Sequence, residues 1–281
     1  MVWIVKDACG IACAILAWLI LAFSQYAILT IILLPQPDTV RKYVHIIVLE
    51  LLSTCTLVAH LRTIFTDPGS VPQKTEQTPK IFQGVSDENL GNYVGYRCSE
   101  CCSVKPDRAH HCSVCKRCIR KMDHHCPWVN NCIGERNQKY FALFTFYVAL
   151  LSSHALYLTI GHFIACLDNN WASTPNVCPL VTRGQPAPGK FIMLVLLVFI
   201  ALLFSLFSFI MFYMQMRAIW TDWNGIEKLK KENRPRVTGC KNFKAVCGEH
   251  FLLWLLPCSG SLPAQELPHS YLDQTNHDSP V

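Results

Sequence analysis

The sequence predicts an all-α membrane protein: four transmembrane helices, with a cytosolic zinc-bound cysteine-rich domain set between helices 2 and 3. Three observations predict it. Four long stretches are poor in charge, in a chain that is 51% hydrophobic and only 16% charged, and a helix needs about 20 apolar residues to cross a bilayer. Eight of the sixteen cysteines fall between Cys98 and Cys132. The basic residues gather beside the apolar stretches, largely on one side of them.

The spans run about Ile11–Leu34, Val44–Phe65, Phe141–Leu167 and Phe191–Met216. The first is longer than the roughly 7–15 apolar residues of a secretory signal, and the basic region before it is thin, so it reads as a retained helix. The second carries His45, Glu50 and His60, and the third His154 and His162. Twelve Lys and Arg lie between Arg62 and Lys139, and eight between Arg217 and Lys244, against Arg183 and Lys190 alone between helices 3 and 4. The positive-inside rule places both termini and the large middle segment in the cytosol; Arg41 and Lys42 after helix 1 oppose it mildly. The net charge of +6 then serves surfaces facing anionic headgroups or an anionic substrate, and no nucleic-acid partner is needed to explain it. The chain divides into 1–66 with helices 1 and 2, 67–140 with the cysteine-rich domain, 141–216 with helices 3 and 4, and a cytosolic region 217–258. The tail 259–281 is Pro- and polar-rich, without periodicity, and is expected to be disordered.

In a reducing compartment clustered cysteines favour metal binding or catalysis over disulfides. Cys98 and Cys101 form one C-x2-C knuckle, and Cys112 and Cys115 a second, with Cys118 three residues on. His110, His111, His124 and His125 bring the pool to twelve candidate ligands. Structural zinc takes four Cys or His ligands, so two ions use eight and leave four. Spacing alone does not decide which residues surround each ion. The segment has few large apolar residues, so metal is expected to supply its folding energy. The remaining cysteines read as small helix-packing hydrophobes or membrane-proximal thiols.

A thiolate saturated by zinc is a poor nucleophile, so a catalytic cysteine must stand outside the metal shell. In Asp123-His124-His125-Cys126 an aspartate can orient a histidine that takes the thiol proton, and the thiolate is the reactive species. Taken alone, the tetrapeptide reads more readily as ligands. Its context changes that reading. From Cys98 to Phe141 the chain reads C-x2-C-x9-H-C-x2-C-x2-C-x4-D-H-H-C-P-W-V-x-N-C-I-G-x2-N-x3-F, which resembles the cysteine-rich domain of the DHHC protein S-acyltransferases. Asp67-Pro68-Gly69 resembles that family's motif after helix 2. Lys241-Asn242-Phe243, Val246, Gly248 and Phe251–Trp254 are similar to its C-terminal motif, and the resemblance covers about residues 10–258. The helices and loop look most like the family's Golgi branch. The departures are Asn224-Gly225-Ile226-Glu227 where the family has T-T-x-E, Cys247 at a usually aromatic position, and the extra Cys102.

The resemblance implies one zinc on Cys98, Cys101, His111 and Cys118, and an interleaved second zinc on Cys112, Cys115, His125 and Cys132. It leaves Cys126 as nucleophile, His124 as its base and Asp123 holding the imidazole. It puts Trp128 against the first carbons of the acyl chain, and Glu227 and Asn242 as ties between the tail and the catalytic loop. The implied activity is two-step transfer of a palmitoyl or other long-chain acyl group from palmitoyl-CoA through acyl-Cys126 to cysteines of membrane-associated substrate proteins. The chain would lie between the helices, where Leu151 is expected in the cavity lining, with CoA near Arg217, Lys228, Lys230 or Lys231.

Three further expectations stand apart from this. Glu50 is expected to contact His162. The ending Ser279-Pro280-Val281 fits a PDZ ligand read by strand addition. The competing functional classes are a non-catalytic zinc-organised membrane scaffold, which would not need Asp123, His124 and Cys126 together, and a cation transporter, suggested by intramembrane Glu50 and the histidines.

Overall fold

The computed structural model describes residues 3–72, 96–102, 104–106, 108–168, 181–182, 185–186, 188–223, 225–229 and 239–257. The tail 259–281 with Ser279-Pro280-Val281, and Asn224, Lys230 and Lys231, lie outside the described residues.

Four helices are long and apolar enough to cross a membrane. Helix α1 (Ala8–Ala27) is started by Asp7, whose carboxylate accepts from the Gly10 amide at 2.7 Å, satisfying a first-turn donor. It continues as a π-helix over Ile28–Leu33. Thr39 caps α2 (Val40–Phe65) in the same way, and the helix stops ahead of Asp67-Pro68, where an α conformation before proline is disfavoured. Helix α3 (Gln138–Asp168) and α4 (Pro188–Thr221) extend beyond the apolar stretches at both ends, because the helical pattern runs on through polar residues. Their outer faces carry large exposed apolar side chains such as Phe199 and Leu206, as lipid contact requires. The seam between them is built of small residues, with Ser153 and Ser205 hydroxyls 3.3 Å apart and Ala155 and Ala201 buried, which lets backbones approach closely.

Between α2 and α3 stand six short strands in three antiparallel pairs: β1 (Tyr96–Arg97) with β2 (Val104–Lys105), β3 (Ala109–Cys112) with β4 (Arg117–Arg120), and β5 (His124–Cys126) with β6 (Asn131–Ile133). A 3₁₀ turn, Pro127–Val129, joins the last two. This segment is fastened to the helices by asparagines. Asn131 Nδ2 donates to the carbonyls of Thr63, Ile64 and Thr66, the orphan acceptors at the end of α2, while Asn130 Nδ2 donates to Val5 O at 2.8 Å. Gly134 is required by close approach: a Cβ there would stand 2.5 Å from Pro68 O and 2.8 Å from Ile119.

After α4, a short helix α5 (Gly225–Leu229) and α6 (Cys240–Cys247) lead into a turn over Phe251–Leu253. Lys139, buried at the start of α3, donates to the carbonyls of Cys247 and Leu253. At Cys247 that tie is made by backbone, so it does not depend on an aromatic side chain. Asn242 Nδ2 donates to Trp220 O at 3.0 Å, which ties α6 to the end of α4.

Two sequence expectations are corrected here. Glu50 does not meet His162: it is exposed on the outer face of α2, whose buried stripe is Leu49, Ser53, Thr56, Ala59 and His60. His45, near the start of α2, instead faces His154 with ring centroids 5.3 Å apart. Helix α3 therefore runs well past α2, and the buried His162 lies 3.7 Å from Cys166 Sγ. Cys166 itself is disulfide-bonded rather than a plain packing residue.

Candidate active site

Two sets of four ligand atoms converge, each set within 4.8 Å: Cys98, Cys101, His111 and Cys118, and Cys112, Cys115, His125 and Cys132. The register of the hairpins produces this. His111 lies opposite Cys118 across β3–β4, and His125 opposite Cys132 across β5–β6. Adjacent residues of a strand face opposite sides, so His111 and Cys112 serve different sets, which knits the two together. His111 Nδ1 lies 3.2 Å from Cys101 Sγ, and His125 Nδ1 3.4 Å from Cys115 Sγ. Crowded thiols oppose one another's ionisation. Sharing a hydrogen bond with Cys112 pushes Cys115 up to about 12, and burial beside Cys98 and Cys101 pushes Cys118 up to about 12. A divalent cation that demands deprotonated ligands resolves that conflict, and both donor sets fit tetrahedral zinc.

The same alternation separates His124 from His125. His124 and Cys126 are two apart on β5 and share a face, turned away from the metal-facing His125. His124 Nδ1 lies 3.0 Å from Asp123 Oδ2, and the ring is near enough to the Cys126 sulfur to interact with it electrostatically. Burial works against charge on both members of the pair. For Asp123 it is outweighed by hydrogen bonds from His124, from the Gly225 amide at 2.8 Å and from Gln215 Nε2 at 2.9 Å, which hold it at about 2. For His124 it is outweighed by Asp123 and Cys126, which lift it to about 9. Phe141 packs edge-on against the His124 ring.

Gln215 and Gly225 were not legible as site residues. Gln215 lies within an apolar span, and Gly225 belongs to the departure from T-T-x-E. Here the backbone N–H at that position supplies the contact to Asp123, and a Cβ would lie 3.2 Å from Asp123 Oδ1. Glu227, two residues on, is buried against Arg108. Arg108 Nη1 also reaches Asp222 Oδ2 at 2.8 Å and Nη2 the Asp222 carbonyl at 2.7 Å, so the turn after α4 is clamped to the cysteine-rich segment. Arg217 is exposed at the end of α4, and the side chain of Lys228 lies outside the described residues.

Cys126 is buried at one end of an apolar cavity lined by residues of all four long helices. Trp128 lines its upper wall, packed edge-on against Phe204. Leu151 lines the deep part, beside Ile28, Leu49 and Ala155. From Phe141 to Ala155 the α3 wall is about 21 Å long at 1.5 Å per residue, enough for an extended long-chain acyl group, and nearly all of the lining is apolar.

The family model for the DHHC palmitoyltransferases matches residues 93–232. Human palmitoyltransferase ZDHHC3 is 44% identical over 273 residues, covering 96% of this chain and 88% of the relative. Zebrafish palmitoyltransferase ZDHHC3-A is 45% identical over 231 residues, 82% and 70% of the two chains. Mouse palmitoyltransferase ZDHHC7 is 41% identical over 264 residues, 92% and 82%.

Proposed function

The chain belongs to the DHHC palmitoyltransferase family, and on that premise we propose that it is a protein S-acyltransferase working through an acyl-Cys126 intermediate, with palmitoyl-CoA as donor. The observation that carries this is the buried Cys126, set beside an Asp123-paired imidazole and lining an apolar cavity.

The Asp123 carboxylate accepts from His124 Nδ1, which leaves the other ring nitrogen for the Cys126 thiol and lets His124 take its proton. The Cys126 sulfur attacks the thioester carbonyl carbon, and CoA leaves as its thiolate. The sulfur of a substrate cysteine then attacks the acyl-enzyme and Cys126 is released. A thioester is exchanged for a thioester in each step, so the protein has mainly to supply positioning and a thiolate. Each methylene buried in the cavity is worth about 0.8 kcal/mol, which favours long chains. Cys98, Cys101, His111 and Cys118 would hold one zinc, and Cys112, Cys115, His125 and Cys132 the other; the metals supply folding energy to the segment that presents Cys126.

The chain is a multi-pass membrane protein. We place its termini and the cysteine-rich domain in the cytosol and the protein in the Golgi. The orientation is supported by the basic excess on that side and by the disulfide at Cys166 near the opposite end of α3, since disulfides persist in oxidising compartments. Family resemblance supports the organelle. Ser279-Pro280-Val281 stands as a PDZ ligand by its pattern, and membrane proteins with cytosolic cysteines are the acyl acceptors. Incubation of the purified protein with palmitoyl-CoA should place one hydroxylamine-sensitive acyl group on Cys126. Labelled palmitate still reaching a substrate protein in Cys126→Ala would overturn the reading.

A further inference from the structure

His60 is a buried histidine of α2 that the chemistry above does not use. It is 2% exposed, lies in the cavity wall next to Cys126 and Trp128, and both of its ring nitrogens are engaged. The Trp18 indole Nε1–H of α1 donates to His60 Nδ1 at 2.9 Å. An indole nitrogen can only donate, so Nδ1 is the unprotonated nitrogen of the ring. The proton therefore sits on Nε2, which lies 2.9 Å from the Trp128 carbonyl oxygen and donates to it. Phe144 of α3 packs against the ring at a tilt of 35° with centroids 4.7 Å apart, restricting its rotation. Trp128 is two residues after the nucleophile, in the 3₁₀ turn Pro127–Val129. The carbonyl that His60 holds thus sets the peptide plane following Trp128 and the direction in which that turn leaves Cys126.

We propose that His60 is a positioning residue for acyl transfer, locked by Trp18 as the Nε2–H tautomer so that it pins the Trp128 carbonyl and aims both Cys126 and the Trp128 side chain at the cavity mouth. The inference rests on the acyltransferase reading of this site. A merely space-filling His60 would tolerate an aromatic hydrocarbon; a tautomer-locked donor would not. It would also depend on an indole in another helix that has no contact with the Trp128 carbonyl.

The test is single-turnover acylation of Cys126 by palmitoyl-CoA, with zinc content and thermal stability measured alongside. His60→Phe is expected to lower the acylation rate about 10- to 100-fold, the range that losing a buried hydrogen bond implies. His60→Gln, whose amide can accept from Trp18 and donate to the Trp128 carbonyl, should recover to within about threefold of the parent. Trp18→Phe removes the indole N–H together with part of the ring, and should slow the parent by a similar factor while adding little to His60→Phe, because coupled residues are non-additive. Parent-like acylation in His60→Phe, or a Trp18→Phe effect that multiplies fully with His60→Phe, would overturn the proposal. If His60→Phe fails to fold, Trp18→Phe decides: a parent-like rate overturns the lock, and a loss reversed by no His60 variant but Gln supports it. Absence of any acylation at Cys126 in the parent would instead sink the underlying enzyme reading.

Discussion

Arg108 offers the sharpest perturbation of the candidate active site, because it is distant from the reacting atoms and yet holds the element that steadies Asp123. Its guanidinium is 6% exposed and pairs with Glu227, 2% exposed, and with Asp222. Arg108→Met would take the guanidinium away from the buried Glu227 carboxylate, and removing one partner of a buried pair costs about 3–5 kcal/mol. Helix α5 carries both Glu227 and Gly225, so the least expensive response is for α5 to swing out and hydrate its carboxylate. Asp123 would then lose the Gly225 amide and keep Gln215 and His124. At the lower figure, about 3 kcal/mol, the docked-to-undocked ratio falls roughly 100-fold, and single-turnover acylation of Cys126 should fall toward the same factor. Zinc content should stay at its parent value, since Arg108 is no ligand. Adding Glu227→Leu removes the buried charge that has lost its guanidinium, so Arg108→Met with Glu227→Leu should recover at least tenfold over Arg108→Met alone. A double variant no faster than Arg108→Met, or an Arg108→Met enzyme as fast as the parent, would refute the clamp.

Leu151→Ala opens the deep end of the cavity. With about 0.8 kcal/mol per methylene, two further carbons are worth up to roughly 15-fold, so competition between stearoyl- and palmitoyl-CoA should shift toward stearoyl by as much as that factor, and Leu151→Trp should shift it toward myristoyl. Purified protein should contain two zinc ions per chain by elemental analysis, and a strong chelator should remove both zinc and acylation together. His111→Ala should lose at least one ion and melt the β3–β4 hairpin. Asp123→Asn probes the charge pair. The lowered Asp123 stabilises the fold above its unfolded value near 3.8 and loses that contribution toward about 2; the raised His124 contributes fully below 6.5 and loses it as pH rises toward about 9. The difference in melting temperature between parent and Asp123→Asn should therefore be largest near pH 6 and shrink by pH 9.5; a constant difference would mean the two are not ionically coupled.

Much of this architecture was readable from the chain because bilayer crossing and zinc binding both leave signals in residue order. Apolar length locates a span, and C-x2-C spacing locates a knuckle. What the sequence could not supply was the third dimension of each. The Glu50–His162 pairing failed because apolar length fixes neither the rotation of α2 nor how far α3 overshoots it. Gln215, Gly225 and Arg108 were invisible as site residues for another reason: each acts through a contact across about a hundred positions, and Gly225 acts through its backbone, which no residue type reports. Cys166 looked like any helix cysteine until its bond was seen.

Strand alternation explains more of the site than any single residue does. Two successive histidines on an irregular loop could each take either role. On β5, paired in register with β6, one must face Cys132 and the other must face away with Cys126. The metal set thus fixes the orientation of the strand, and the strand fixes which imidazole is left for the thiol. The next residues turn under Asn130, which adopts a left-handed conformation and is anchored through the Val5 carbonyl on the segment just ahead of α1, while Asn131 is anchored on α2. A metal-ligand set on one face, and α2 with the segment ahead of α1 on the other, therefore hold a three-residue strand from both sides. A thiol held in this way must still be reached by what it reacts with, and the apolar cavity that Cys126 lines leaves it open on that side.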